Sequence, residues 1–452
     1  MSYFFRRFLL FCIIFIFLCA APLVIFYARG YRFDLHNLEF TKTGTLSVKT
    51  APSGADIYLD GKIYPKASPA KIDGLKPKDY ALRVTREGYQ DWQASFTIKP
   101  ELVTSATHII LFPQQLEEKN IISGSIDNFA LSPDQQKIIY NIAKGEKRGL
   151  WIFYFGTEEN IKISDIYFED FDWSGNGQKI ILKRKEESGL RYGLLDLGAS
   201  GTLKNNPKIQ DLASLVRDPI EKISWSPDNS QRLFILAKDN LYEADLGKPS
   251  ISLLQRNVQT YAFHAYGLLW VQKDQKNVFL AAQDYRLLNR PEIITALPKR
   301  ETYKIIPSPG KIALLLDHDL YFVEDGALVK IAEAVEDASW SPDNKRLLYF
   351  NAHQINSYYL KDATNSVLTR DSRILENINW WPRSQYVVFV SEEKLKFIDA
   401  APEMNSHWIT EIKNTKVPQT KIQWDKNSKN IFLVAENEQG KRNIVKIKLI
   451  EN

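Results

Sequence analysis

The phrase Ile223-Ser-Trp-Ser-Pro-Asp-Asn229 returns almost unchanged as Ala338-Ser-Trp-Ser-Pro-Asp-Asn344. Repetition at a regular spacing restricts a chain to stacked or ring-like architectures. Looser copies are Phe129-Ala-Leu-Ser-Pro-Asp134, Phe171-Asp-Trp-Ser-Gly-Asn176, Ile378-Asn-Trp-Trp-Pro-Arg383 and Ile422-Gln-Trp-Asp-Lys-Asn427. Two weaker ones are Tyr261-Ala-Phe-His-Ala-Tyr-Gly267 and Ile305-Ile-Pro-Ser-Pro-Gly310. With the Ser before Pro as the mark, the copies fall at Ser132, Ser174, Ser226, His264, Ser308, Ser341, Trp381 and Asp425. The mean interval is about 42 residues, the size of a four-stranded propeller blade. The same length results from dividing 119–452 by eight, so eight blades are expected, with seven as the alternative.

Each copy reads as a hairpin. The apolar residue and the Trp two positions later share one face of a strand. Ser-Pro-Asp-Asn suits a type I turn: Ser bonds back to the backbone, Pro presets φ, and Asn accepts a left-handed conformation at the fourth position. A returning strand follows, such as Arg346-Leu-Leu-Tyr-Phe350 or Lys179-Ile-Ile-Leu182. The last copy lacks a fourth strand of its own after Ile450. The segment near Asn120-Ile-Ile122 is expected to supply it, because ring closure protects sheet edges.

The 452 residues are 44% hydrophobic, enough for packed cores. The formal net charge of +5 is concentrated at the start, where Arg6, Arg7, Arg29 and Arg32 flank one apolar run and residues 1–32 contain no acid. No basic stripe stands out in the rest, which disfavours a nucleic-acid partner. The apolar run, Phe8 to Phe26, has no charge and is long enough to span a bilayer as a helix. Cys19-Ala-Ala21 offers small residues for signal cleavage, but Pro22 would follow the cut and Leu23-Val-Ile-Phe26 prolongs the run beyond a signal core. An uncleaved anchor is expected, with the N-terminus cytoplasmic and the bulk of the chain extracytoplasmic. Cys12 and Cys19 both lie within the run, so there is no disulfide framework or thiolate metal site beyond it.

Residues 45–112 alternate short strands and turns. Gly44-Thr-Leu-Ser-Val-Lys49 has period two, Asp56-Ile-Tyr-Leu59 is closed by the hairpin signal Asp60-Gly61, and Tyr80-Ala-Leu-Arg-Val-Thr85 is broken by Gly88-Tyr89. A small antiparallel β-sandwich is expected. With the turn Pro52-Ser-Gly-Ala55 and the pair Ser68-Pro69, this stretch resembles the PEGA domain family, with Ser53 replacing the Glu of its name. The resemblance implies a non-catalytic surface module of bacterial and archaeal envelope proteins and names no ligand. The repeat, for its part, is similar to the WD-like propeller repeat of TolB and its relatives, whose signature is Trp-Ser-Pro-Asp-Gly. Trp225-Ser-Pro-Asp-Asn229 and Trp340-Ser-Pro-Asp-Asn344 match it except for Asn in place of Gly, while Trp173-Ser-Gly-Asn-Gly177 matches except for Pro. That resemblance implies an extracytoplasmic interaction platform over 119–452. The organisation is therefore all-β after the anchor: anchor 1–32, linker 33–44, sandwich 45–112, linker 113–118, propeller 119–452.

Chemistry-bearing patterns are scarce. There is no Gly-x-Ser-x-Gly elbow and no Gly-rich phosphate loop, so the repeated Ser residues read as turn formers and no cofactor is expected. His36, His108, His264, His318, His353 and His407 are too scattered for a zinc signature. Asp317-His-Asp319 is the densest group and reads as a turn between strands. Asp134, Asp228 and Asp343 recur where Asp bonds turn backbone, and runs such as Lys183-Arg-Lys-Glu-Glu187 read as solvated hairpins. Trp173, Trp225, Trp340, Trp380 and Trp424 share one repeat position and are expected to pack between blades. Trp381 stands instead where Ser stands in the better copies and is expected to present an exposed partner contact. A membrane-anchored, non-enzymatic envelope protein binding a protein or glycan follows, the alternative being an enzyme or small-molecule sensor working in the axial channel.

Overall fold

The computed structural model describes residues 3–28, 31–34, 39–187, 189–198, 208–248, 250–264, 267–283, 291–382, 385–401, 404, 407–417 and 421–450. His36, Arg29, Ala265, Tyr266 and Arg383 lie outside the described residues, as do the side chains of Arg32 and Phe26. One α-helix, Tyr3–Ala28, covers the apolar run, with Pro22 inside it. From Phe8 onward its described side chains are uncharged and almost all exposed, Phe11 reaching 76% exposure. Among the described residues no helix is long and apolar enough to cross a membrane. Within that helix, side chains are described only for residues 6–22, 24 and 25. The stretch expected as the linker 33–44 instead contains part of a two-stranded pair, in which Tyr31–Asp34 runs antiparallel to Glu39–Lys42.

The chain forms two compact units. The first comprises Met1–Leu116, Ile398–Thr410 and Ile450–Asn452; the second comprises Glu117–Phe397 and Glu411–Leu449. In the first unit Gly44–Ala51 lies between antiparallel Ala70–Leu75 and parallel Val103–Ile110. A second sheet runs Lys62–Ile63, Asp56–Leu59, Asp79–Thr85, Trp92–Thr97. Alternation sends Leu46 and Val48 from one sheet, and Leu82, Val84, Trp92 and Phe96 from the other, into one core. Each such side chain contributes roughly 1.5 to 3 kcal/mol by burial. Met404, from the Ile398–Thr410 segment, joins that core and bridges Phe96.

The geometry explains why the turn residues of this unit occur together. Ser68 Oγ accepts the Ala55 N–H at 3.0 Å and lies 2.5 Å from Thr50 Oγ1. Ser68 N–H donates to Ala55 O, and Gly54 N–H donates to Ser68 O. The Pro-Ser-Gly-Ala turn and the Ser-Pro pair thus hold each other. Asp60 and Gly61 both have positive φ, 48° and 77°, as the tight hairpin between short strands requires.

The second unit is a succession of four-stranded antiparallel sheets covering residues 126–164, 170–211, 220–256, 258–297, 303–332 and 337–370. A further sheet follows in the order Glu117–Ile122, Arg442–Lys448, Asn430–Glu436, Ile409–Lys416, Lys394–Asp399, Tyr386–Ser391, Glu376–Trp380, with Gln423–Trp424 paired to Asn430–Glu436. Consecutive sheets meet through their first strands, which are therefore innermost. Second strands such as Lys137–Ile142 are buried along their whole length because each sheet is covered on both faces. The ring closes where the last sheet reaches the first: Gln423 Nε2 donates to Phe129 O, its Oε1 accepts the Leu131 N–H, and Phe432, Val434 and Ile444 share a core with Ile126 and Phe129. Glu117–Ile122 pairs antiparallel with Arg442–Lys448, so the strand expected near Asn120–Ile122 does form the outer edge of the final sheet.

The repeated phrase behaves as a lock. Trp173 Nε1 donates to Ala130 O, Trp225 to Asp172 O, Trp340 to Ile306 O and Trp380 to Ser339 O, each bond crossing to the preceding inner strand. In the turns, Ser341 Oγ donates to Asp343 and accepts the Arg346 N–H, and Asn344 takes φ 56°. The turn at Ser226 departs from this pattern. Ser226 N–H reaches Arg232 O, one residue further than in the other copies, and Asn229 Oδ1 instead accepts the Gln231 N–H.

Candidate functional site

The site most directly built by the repeat is the inner rim of the second unit. The third residue before the Trp position is Asn128, Asp170, Lys222, Thr260, Lys304, Asp337, Asn377 and Lys421 in successive copies. Every one is polar. The sheets place these residues at or just before the beginnings of the inner strands, at the end where each sheet is entered from the previous one.

The charged members are largely spent on one another. Lys421 Nζ bonds Asp170 at 2.6 Å, reaching past the inner strand of the first sheet. Lys304 Nζ bonds Asp337 at 2.5 Å, linking neighbouring sheets. Lys222 Nζ donates to Tyr261 O at 2.7 Å and sits 4.5 Å from the Tyr261 ring centre. Burial, aided by the Lys304 charge, lowers the Lys222 pKa. Tyr261 donates to Phe234 O and lies within hydrogen-bond distance of Ser224 Oγ; burial raises its phenol.

Asp172 differs. It follows Asp170 on the same strand and the same face. Burial first, then the Asp170 charge, raises its carboxyl to about 6, with Lys421 opposing. Its side chain nonetheless stays exposed to water. A group at a concave rim has both properties, being surrounded by protein yet touched by solvent. A carboxyl raised towards neutrality is a feature by which functional carboxylates are recognised. No nucleophile–base pair accompanies it among the described hydrogen bonds of the rim.

The other sequence candidates resolve as structure. Trp381 is 0% exposed, which overturns its expected role as a surface contact. It stacks on Trp424 at 5.4 Å and 12°, and its Nε1 donates to Ser428 O. The reason is that Ser132, Ser174, Ser226 and Ser341 at the same position are also buried. Pointing away from the Trp face leads to the next sheet, not to solvent. Asp317 and His318 form the turn between Lys311–Leu316 and Asp319–Glu324, with Asp317 at φ 53°. Asp317 accepts the Thr302 and Glu301 N–H groups, which lower its pKa. Asp317 and Asp319 both pair with Arg300, Asp319 also with Lys330, and His318 turns to Val335 O, so the carboxylates are held by cations and the imidazole does not join them. Asp134 is held by Lys137, Ser132 and the Gln136 N–H, which outweigh its burial and lower its pKa. Among the described residues no group of three His, Cys, Asp or Glu is arranged to hold a metal ion.

The PEGA domain family matches residues 43–110, the stretch that builds the two sheets of the first unit. No curated protein matches the chain. Among solved structures, one described as the eukaryotic initiation factor is 13% identical, with a TM-score of 0.48 over 83% of this chain and 97% of its own. The Dos1 propeller is 13% identical, with a TM-score of 0.46 over 73% of this chain and 94% of its own. Kluyveromyces lactis Hsv2 is 11% identical, with a TM-score of 0.42 over 66% of this chain and 100% of its own. The propeller architecture rests on the sheet order and inner-strand locks; these distant likenesses add nothing to it.

Proposed function

We propose that this chain is a membrane-anchored cell-envelope protein with a non-catalytic interaction role, whose extracytoplasmic propeller binds a protein or glycan partner. The observation that carries the reading is the mutual neutralisation of the rim: Lys421 with Asp170 and Lys304 with Asp337. Charges consumed in pairs leave little machinery for proton transfer. The propeller has eight blades in this reading. In the large sheet Ile409–Lys416 meets Asn430–Glu436 at Lys416↔Glu436, and the sheet then divides there into two blades. The anchor is the helix Tyr3–Ala28, 26 residues long. At 1.5 Å per residue this is about 39 Å, more than the ~30 Å hydrocarbon core of a bilayer. A helix apolar all round is either buried or membrane-embedded, and its described apolar side chains stand exposed.

Two measurements test the proposal. Alkaline carbonate washing of membranes from the source cells should leave the chain in the pellet; recovery in the soluble fraction with a new N-terminus near Pro22 refutes the anchor. Pull-down of envelope components with the fragment from Asp34 onward should yield a saturable partner. Turnover of a substrate without any such partner refutes the interaction role. The second reading, a small-molecule sensor or enzyme in the channel, is favoured by one observation, the carboxyl of Asp172 near 6.

A further inference from the structure

Away from the rim's charge pairs, a cleft of ≈ 790 Å³ opens across two neighbouring sheets of the second unit, 303–332 and 337–370. That volume lies within the range of ligand sites. Its chemistry is set by two histidines in equivalent turns. His318 follows the second strand of one sheet, and His353 follows the second strand of the next.

Both rings are held in the same way. His318 Nδ1 lies 3.3 Å from Val335 O, and His353 Nδ1 lies 3.3 Å from Arg373 O. A backbone carbonyl only accepts, so each Nδ1 carries the proton. In the neutral imidazole the lone pair is then on Nε2. Two exposed side chains from adjacent sheets therefore offer acceptor nitrogens at the lining of one cleft.

Besides Ala334 and Ala352, the remaining lining residues carry polar groups set among their own carbon atoms. Glu336 accepts the Ala352 N–H through Oε1 at 3.1 Å and makes no ion pair among the described residues. Arg370 donates through Nε to Gln354, which leaves its terminal N–H groups directed to other acceptors. Asp371 is taken by Arg373. The lining thus carries one carboxylate and one guanidinium that form no ion pair among the described residues, so the cleft has no net sign with which to attract a polyelectrolyte. Apart from the two imidazoles, its lining contains no aromatic ring and no large aliphatic side chain, which removes the usual anchors of an apolar peptide.

We propose that this cleft binds a neutral, hydroxyl-rich saccharide chain, with His318 and His353 accepting hydroxyl hydrogens through Nε2. A sugar hydroxyl both donates and accepts. It can therefore give its hydrogen to Nε2 or Glu336 and take one from Arg370 or Ser372 without a charge of its own. The inference narrows the interaction role proposed above to one ligand class at one site.

The test is NMR titration of the full chain with cellohexaose, maltohexaose and chitohexaose, following the imidazole C–H resonances. Assignments come from His318→Gln and His353→Gln. At least one oligosaccharide should shift both resonances, with Kd on the order of 1 mM, and the double Gln variant should weaken binding at least about tenfold with an unchanged melting profile. The proposal is overturned if none of the three shifts either resonance, or if binding survives the double variant. It is also overturned if hexalysine or hexaglutamate shifts these resonances and the oligosaccharides do not. A protein partner captured in the envelope pull-down alongside such a failure would leave the broader interaction role intact and remove only the saccharide site.

Discussion

Asp172→Asn should stabilise the propeller unit at neutral pH and leave it unchanged in acid. The folded carboxyl titrates near 6 against an ordinary 3.8, because burial and then the Asp170 charge disfavour its ionised form. Below pH ~4 both folded and unfolded chains carry the proton, and the group contributes nothing. Between about 4 and 6 the folded chain keeps a proton that the unfolded chain releases, so stability falls as pH rises through that window and then stays constant. A shift of this size corresponds at face value to about 3 kcal/mol. The Asp172 side chain is exposed to solvent, so screening reduces the expected effect to about 1 kcal/mol. Asn has the same shape and no charge, and the other groups acting on Asp172 are Asp170 and Lys421, which remain. The assay is chemical denaturation of wild type and variant at about pH 4 and about pH 7.5, with the difference between them as readout. A variant equal to or less stable than wild type at the higher pH, or a gap that does not change with pH, would refute the account of the rim.

Trp381→Ala removes a fully buried ring stacked on Trp424 and should cost about 3 to 5 kcal/mol in denaturant unfolding; an effect below about 1 kcal/mol would restore the surface reading. Ile122→Ala, in the strand that edges the final sheet, should cost about 2 to 5 kcal/mol and lower the propeller's melting transition. Ser68→Ala leaves the Ala55 N–H without its acceptor in the first unit; a loss of about 1 to 3 kcal/mol in that unit's transition is expected. Trp340→Phe keeps one aromatic ring but removes the fused second ring and the Nε1 bond to Ile306 O. It should cost about 1 to 3 kcal/mol by the same assay.

The architecture was legible because its signals are local and repeated. A Trp two residues after an apolar position, then Ser-Pro-Asp, encodes a hairpin whichever sheet it enters. The spacing of those hairpins encodes the sheet size. The closing strand could be anticipated because the last copy was one strand short. What escaped was orientation beyond the single strand. Trp381 was assigned to solvent by alternation alone, but alternation distinguishes two faces and does not say whether either is wet. Residue 381 directly follows its strand, where Ser132, Ser174, Ser226 and Ser341 are buried as well, and that burial comes from the neighbouring sheet, which no single strand's pattern contains.

The rim was also written in the sequence, one column earlier than the conspicuous phrase. Asn128, Asp170, Lys222, Thr260, Lys304, Asp337, Asn377 and Lys421 are all polar at the third position before the Trp. The column that follows it, Phe129, Phe171, Ile223, Tyr261, Ile305, Ala338, Ile378 and Ile422, is apolar or aromatic throughout, and a column that stays polar beside it marks a place that the sheets turn towards water. The column does not reveal which charges pair. Lys421 meets Asp170 although their copies stand at opposite ends of the repeat array, an approach that exists only once the ring has closed. Charges that pair across the closure cannot form until the last sheet reaches the first. The contact thus depends on the whole repeat array, whereas each Trp lock depends only on two neighbouring sheets. The charge balance of the rim is for this reason a property of the closed fold, and it is the part of the candidate site that local pattern could not supply.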